Sequence, residues 1–263
     1  HDWPGTLFPN RYHHVEVSDD PDEAGYFGTD AEELAATVLA SKAPQHVSLE
    51  ELGTEAARQE ILDAFNEGAY LISYIGHGGI QLWADESILH SSSVGTLSPQ
   101  PQQPLVLTMN CLNGYFHFPY FNSLAEELLK AEGKGAIAAF SPSGMSLNTP
   151  AHLYHKALLN ELFYGEHRRL GEAVLAAQET CAETGAYPEL LSIYHLLGDP
   201  ALFFAAGELG IEGSSPGSAL LPTMAPPAPN PFSSNCVIPY TTAGGSVRIE
   251  VYDLSGRMVN TLF

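Results

Sequence analysis

A thiol, an imidazole and a run of carboxylates stand at the ends of three apolar segments of this 263-residue sequence. One segment runs into Ser18-Asp19-Asp20-Pro21-Asp22, the next ends in Gly76-His77-Gly78-Gly79, and a third ends in Asn110-Cys111-Leu112-Asn113-Gly114. Together they make the set a cysteine nucleophile needs. A free thiol has a pKa of about 8.5 and is mostly protonated at neutral pH. A nearby imidazole can hold the thiolate as an ion pair and later protonate a leaving amine, and a carboxylate behind the imidazole sets its orientation and tautomer. Glycines around His77 let a substrate backbone approach. They also leave amide N–H groups to stabilise a developing oxyanion, with the Cys111 N–H as a second donor. Each group has a plainer reading when taken alone. A strand-end cysteine is usually a small hydrophobe, Gly-His-Gly-Gly is usually a tight turn, and the Asp19/Asp20/Asp22 cluster is a solvated turn or a site for structural calcium.

The elements that must position these groups follow from the apolar pattern. Strands are expected over 13–18, 69–76, 105–110, 135–141 and 201–205, and the middle three read as nearly continuous apolar runs, the signature of strands buried on both faces. Helical periodicity is expected over 31–41, 55–67, 123–132, 151–163 and 170–183. This alternation implies an α/β fold with a mostly parallel, helix-covered sheet. Catalytic groups of such sheets collect at the carboxyl ends of the strands, where all three segments deliver theirs.

Composition removes several function classes. Lys plus Arg total 10 against 31 Asp plus Glu, a formal charge of -21, so the surface repels nucleic acid and anionic lipid. No apolar run reaches the roughly 18–20 residues of a membrane helix. The chain begins at His1 without a signal-peptide pattern and reads as a processed piece or internal fragment. Cys111, Cys181 and Cys236 provide neither a disulfide framework nor a zinc pattern. Cys181 reads as core and Cys236 as structural. His152 and His155 are spaced for a metal on a helix but lack a third ligand at matching spacing, so no metal site is expected. His117 rivals His77 as a base, although its aromatic neighbours suggest a packed loop or an apolar subsite. From Gly207 to Pro231, 13 of 25 residues are Gly, Pro or Ser, which reads as a linker. Beyond it, alternating strand patterns around Ala243-Gly244-Gly245 suggest a hairpin within a truncated β-sandwich.

At these motifs the sequence resembles the gingipain family of cysteine peptidases, which share a caspase-like fold. The resemblance is carried by Ile75-Gly76-His77-Gly78, Trp83, Cys111-Leu112-Asn113-Gly114-Tyr115-Phe116 and Leu197-Gly198-Asp199-Pro200. It covers roughly residues 13–205 and implies a caspase-like three-layer sandwich. It also implies that Cys111 is the nucleophile of an endopeptidase, His77 its acid–base partner and Gly78 an oxyanion-hole amide. The family's third catalytic residue is matched by Asp20, with Asp19 as the alternative. Members that cleave after arginine place an Asp at a helix start to pair with the guanidinium. Asp30 is the match, although Asp before Ala-Glu-Glu is also an ordinary helix N-cap. Leu147 stands where those members have a pocket Trp. The candidate substrate-binding residues are Asp30, Trp83, Asn110 and Leu147, Trp83 being equally readable as core. The expected domains are a catalytic domain over 1–206, a linker over 207–230 and a partial β-sandwich over 231–263. The last resembles sorting domains of the type IX secretion route, which implies a secreted or cell-surface protein that engages secretion machinery. Protein or peptide substrates and no required cofactor are expected. A sortase-like transpeptidase using the same two residues, and an inactive binding relative, are the alternatives.

Overall fold

The long apolar runs become neighbouring strands of one sheet, because each is flanked by helices that need an apolar face to cover. The computed structural model describes residues 14–204 except 101, 168 and 186, and then 223–224, 240–241, 249–252 and 258–262. The chain divides into two compact units, Leu7–Gly210 and Ile211–Phe263 with His1–Thr6.

The larger unit starts with β1 (His14–Ser18), α1 (Phe27–Ala36), β2 (Gln45–Ser48), α2 (Leu49–Leu52), α3 (Thr54–Asn66) and β3 (Leu71–Ile75). A small three-stranded insert follows, β4 (Gly78–Gly79), β5 (Leu82–Trp83) and β6 (Leu89–His90), with α4 (Ser91–Val94) behind it. The unit continues through β7 (Leu105–Met109), α5 (Leu124–Lys130), β8 (Ala138–Pro142), α6 (Asn148–Tyr164), α7 (Leu170–Glu183), α8 (Leu190–Ile193) and β9 (Tyr194–Leu197). Among the described residues the main sheet has six strands in the order β2-β1-β3-β7-β8-β9. Pairing is parallel from β2 to β8 and antiparallel only between β8 and β9.

Strand residues alternate between two cores. Val15, Val17, Ile72, Tyr74 and Val106 pack with Ile61 and Phe65 of α3 and with Leu124 and Leu128 of α5. Leu71, Ile75, Leu107, Met109 and Phe140 pack with Leu34 of α1, Tyr154 and Leu158 of α6, and Val174 of α7. The result is the mostly parallel α/β architecture expected, with helices on both faces.

Several expectations change in detail. The helix expected over 31–41 is α1, which starts at Phe27 with Tyr26 as its N-cap, so Asp30 lies in its first turn and is not the cap. The strand expected over 201–205 is replaced within the described residues by β9, and Phe203 makes only an isolated bridge to Arg169. The first-expected strand position, His13, lies outside the described residues. In the smaller unit, β10 (Thr223–Met224) pairs antiparallel with β11 (Tyr240–Thr241), and β12 (Ile249–Tyr252) pairs with β13 (Met258–Leu262). The expected hairpin turn at 243–245 lies outside the described residues. Among the described residues the two strands flanking it pair with other partners.

Candidate active site

The carboxyl ends of β1, β3 and β7 lie side by side, since β3 pairs with both of the others. This adjacency brings the acid, imidazole and thiol segments to one edge of the sheet.

Asp19 follows β1 and is buried. Its Oδ2 accepts the backbone N–H of His77 at 2.7 Å and the Tyr74 hydroxyl at 3.2 Å, and its Oδ1 accepts the Asp20 N–H at 3.0 Å. Burial pushes its carboxyl up to about 6, against the lowering effect of the His77 amide. Asp19 is therefore a clamp on the backbone of the histidine turn. Gly76 permits it, because a Cβ there would overlap the Asp19 Cβ and lie 2.5 Å from the Tyr74 hydroxyl oxygen.

The His77 ring is half-exposed and meets Asp22, with Nε2 2.9 Å from Oδ2. Phe27 packs edge-to-face against the ring at 5.4 Å. Asp22 is positioned by its own turn: its Oδ1 accepts the Ala24 N–H at 2.7 Å and its N–H donates to the Gly25 carbonyl at 3.1 Å. The Ala24 amide, followed by the His77 ring, holds the Asp22 carboxyl below the usual carboxylate range. The acid on the imidazole is thus Asp22, where Asp20 was expected. Asp20 is exposed and contributes its backbone N–H to Asp19. Three acids within four positions give no spacing signal that separates them; the Asx turn at Asp22 decides.

Cys111 follows β7 and is half-buried and unpaired as a thiol. Its Sγ accepts the Ser146 N–H at 3.3 Å and donates to the Ser146 carbonyl at 3.5 Å. Leu112 turns the chain sharply with φ +62°, a left-handed conformation rare for a branched side chain, and its N–H is held by the Gly144 carbonyl at 3.1 Å. Asn113 then ties this turn to the histidine turn. Its Oδ1 accepts the Trp83 indole N–H at 2.6 Å, while its Nδ2 donates to the Gly79 carbonyl and to Leu82 at 3.0 Å. Ser146 and Asn113 escaped the sequence reading of the site, although Asn113 sits inside the quoted motif.

Cys111 and His77 line one cavity of about 40 Å³, with Ala24, Phe27, Gly76, Met109, Asn110, Ser146, Leu147, Asn148 and Ala151 completing its wall. Asn110 and Leu147 are therefore at the site, Leu147 being 65% exposed. Asp30 reaches it indirectly: its Oδ2 accepts the Asn148 amide at 2.7 Å. Gly78 pairs with Trp83 across β4 and β5. Trp83 is not a cleft wall. It is fully buried, stacked on Tyr74 at 4.7 Å, and does not line the cavity shared by Cys111 and His77. His117 packs against Tyr115 at 3.9 Å and is not part of the cavity wall. A larger cavity of about 240 Å³ lies between α6, α7 and α8 and includes Cys181.

Among the described residues, Asp19, Asp20 and Glu86 form the group of acids close enough to share a cation, with one oxygen from each within 4.8 Å of the others. His152 pairs with Glu33 at 3.2 Å, whereas His155 is buried against Ser73 at 2.9 Å, so the two do not converge. No helix of the described residues is long and apolar enough to cross a membrane.

The model of peptidase family C25 matches residues 11–205. Gingipain R2 of Porphyromonas gingivalis is 28% identical over 158 residues, covering 55% of this chain and 21% of that protein. Gingipain R1 of the same species is also 28% identical over 158 residues, which is 15% of its length. The crystal structure of gingipain R, described as an Arg-specific cysteine proteinase, superposes with a TM-score of 0.62 at 21% identity, over 74% of this chain and 48% of that one. A structure described only as a protease superposes at 0.65 with 13% identity, over 96% of this chain and 59% of that one. The chain thus spans about a fifth of the first curated relative and about half of the solved gingipain R structure. With the family's match running from β1 to the end of the sheet, over the edge that carries His77 and Cys111, this chain belongs to peptidase family C25.

Proposed function

We propose that the protein is a cysteine endopeptidase with Cys111 as nucleophile and His77 as acid–base partner. The observation that carries this reading is the single cavity lined by both residues at the carboxyl edge of a parallel sheet. Asp22 accepts from His77 Nε2, which leaves Nδ1 as the basic nitrogen. In this scheme His77 takes the thiol proton, Cys111 adds to the peptide carbonyl carbon, and the carbonyl electron pair moves to oxygen. His77 then gives the proton to the departing amine, and water resolves the thioester by the same steps in reverse order. The Ser146 N–H is aimed at the sulfur and helps fix its position. Asp22 is the positioning acid in place of Asp20, and Asp19 holds the histidine turn through its backbone. The Gly78 and Cys111 amides are the main-chain oxyanion donors.

Leu147 and the Asp30–Asn148 pair border the substrate side. No metal takes part in these steps; a structural calcium ion would draw on Asp19, Asp20 and Glu86. The tail motif beginning at Asn230-Pro231-Phe232 supports export and contact with secretion machinery, with proteins outside the cell as substrates.

The test is turnover of a peptide panel varied at the residue before the scissile bond. Cys111→Ala is expected to lose hydrolysis by at least about 10³-fold, with an unchanged melting temperature. Equal turnover by the parent and the variant would remove Cys111 as nucleophile.

A further inference from the structure

The residue immediately before the nucleophile is a buried amide that the resting fold does not use. Asn110 is 3% exposed, and neither its Oδ1 nor its Nδ2 has a hydrogen-bond partner. Leaving such a group unpaired carries an uncompensated desolvation penalty. An apolar residue of the same size would avoid that cost, and Met109 beside it is already apolar. Asn113, three residues on, spends its whole amide on Trp83, Gly79 and Leu82. The contrast is between an asparagine that builds the site and one that waits for a ligand.

The position of the Asn110 amide indicates which ligand. It packs directly against Gly78, where an added Cβ would overlap its nitrogen and would also lie 3.0 Å from the Cys111 carbonyl oxygen. It is therefore wedged between the histidine turn and the cysteine turn, and Asn110 is one of the residues that line the cavity they share. That cavity, about 40 Å³, suits an atom the size of a water oxygen better than a long side chain. Asn148 also leaves an amide atom unpaired there, but its Nδ2 is committed to Asp30, so what it offers is the acceptor Oδ1. Asn110 retains both an unused donor and an unused acceptor.

We propose that Asn110 Nδ2 donates a hydrogen bond to the oxyanion formed when Cys111 attacks a peptide carbonyl, which makes Asn110 a further catalytic residue of the site. The proposal rests on the reading of Cys111 as nucleophile. As the sulfur–carbon bond forms, the carbonyl π pair becomes a lone pair on oxygen. That charge meets a donor already stripped of water and held by no other acceptor among the described residues. When the pair returns to re-form the carbonyl, the amine leaves with the proton from His77 and the Asn110 hydrogen bond weakens again. An interaction stronger in the transition state than in the bound substrate acts on kcat and leaves KM nearly unchanged.

The experiment compares the full chain with Asn110→Leu, and with Asn110→Ala should the leucine variant not fold. It uses a peptide substrate that the parent cleaves and a peptide aldehyde that adds reversibly to the thiol. The expected result is a fall in kcat of about 10²–10³-fold, with KM within about threefold. Aldehyde inhibition should weaken alongside kcat, and the melting temperature should be unchanged or raised, because the lost amide had no partner to abandon. A variant with kcat within about threefold of the parent, or one that loses activity through KM or through a lowered melting temperature, overturns the role. The two levels fail separately. A parent chain that is not labelled at Cys111 and cleaves nothing contradicts the peptidase reading. A parent that works through Cys111 but tolerates Asn110→Leu contradicts only the Asn110 inference.

Discussion

Asp22 meets the His77 ring because the chain folds back on itself directly after β1, through the Asx turn to Ala24 and the Asp22–Gly25 backbone bond. Asp19 and Asp22 thereby divide the work expected of one acid: the first fixes the main chain of the histidine turn, the second faces the ring. The division yields a prediction about neighbours of the same residue type. Asp22→Asn removes the charge facing the imidazole and is expected to lower kcat/KM by about 10-fold. That is less than the roughly 10²–10⁴ of a general acid–base group, since the pair is solvent-exposed. Asp20→Asn, which alters no contact to His77, should stay within about twofold of the parent. Steady-state kinetics of the two variants on one substrate checks the assignment, and the opposite order would restore Asp20.

Where β1, β3 and α6 meet, the fold buries a polar cluster that the proposed chemistry does not use. Ser73 donates to Glu16 Oε2 at 2.6 Å, and His155 Nε2 stands 2.9 Å from the Ser73 hydroxyl and 3.9 Å from Glu16. Burial pushes Glu16 up from 4.5 to about 7 and His155 down from 6.5 to about 3. The folded protein keeps the Glu16 proton where the unfolded chain has lost it, so that contribution is present below about pH 4.5 and is lost as pH rises toward 7. His155 has the opposite sign: the folded state is neutral where the unfolded chain is protonated, and stability grows as pH rises from about 3 to 6.5. Between these limits the two slopes oppose each other. Glu16→Gln keeps the protonated shape and removes one slope. Its stability relative to the parent should therefore rise between about pH 4.5 and 7, by up to about 3 kcal/mol. Chemical denaturation of both proteins at several pH values measures this. A difference that is flat or falls with pH would contradict the burial of an ionisable Glu16.

Taken whole, the molecule was legible in its sequence wherever burial is symmetrical. β3, β7 and β8 are buried along every residue, and unbroken apolar runs announce such strands. β2 is a four-residue edge strand, Gln45–Ser48, half of it only partly buried, and it carries no apolar pattern to read. β9 closes the other edge in the antiparallel sense with Tyr194 as its single buried residue, so it carries too weak an apolar run to read, and the strand expected from 201 starts seven residues after the start of β9. The thiol and imidazole were legible because they end buried runs. Asp22 was hidden because only turn geometry distinguishes it from its neighbours, and Trp83 was ambiguous because sequence spacing does not tell the floor of a site from its wall. The acid excess of the chain, with a formal charge of -21, leaves peptides as more compatible partners than polyanions. The proposed chemistry rests on one sulfur and one imidazole that line the same cavity, and covalent labelling reads their reactivity directly. A peptidyl acyloxymethyl ketone incubated with the full chain, followed by peptide mass spectrometry, should place the adduct on Cys111, and His77→Ala should slow labelling by about 10²-fold or more. A folded chain that gives no Cys111 adduct across a broad panel of probes, or that labels equally fast without His77, would contradict the account.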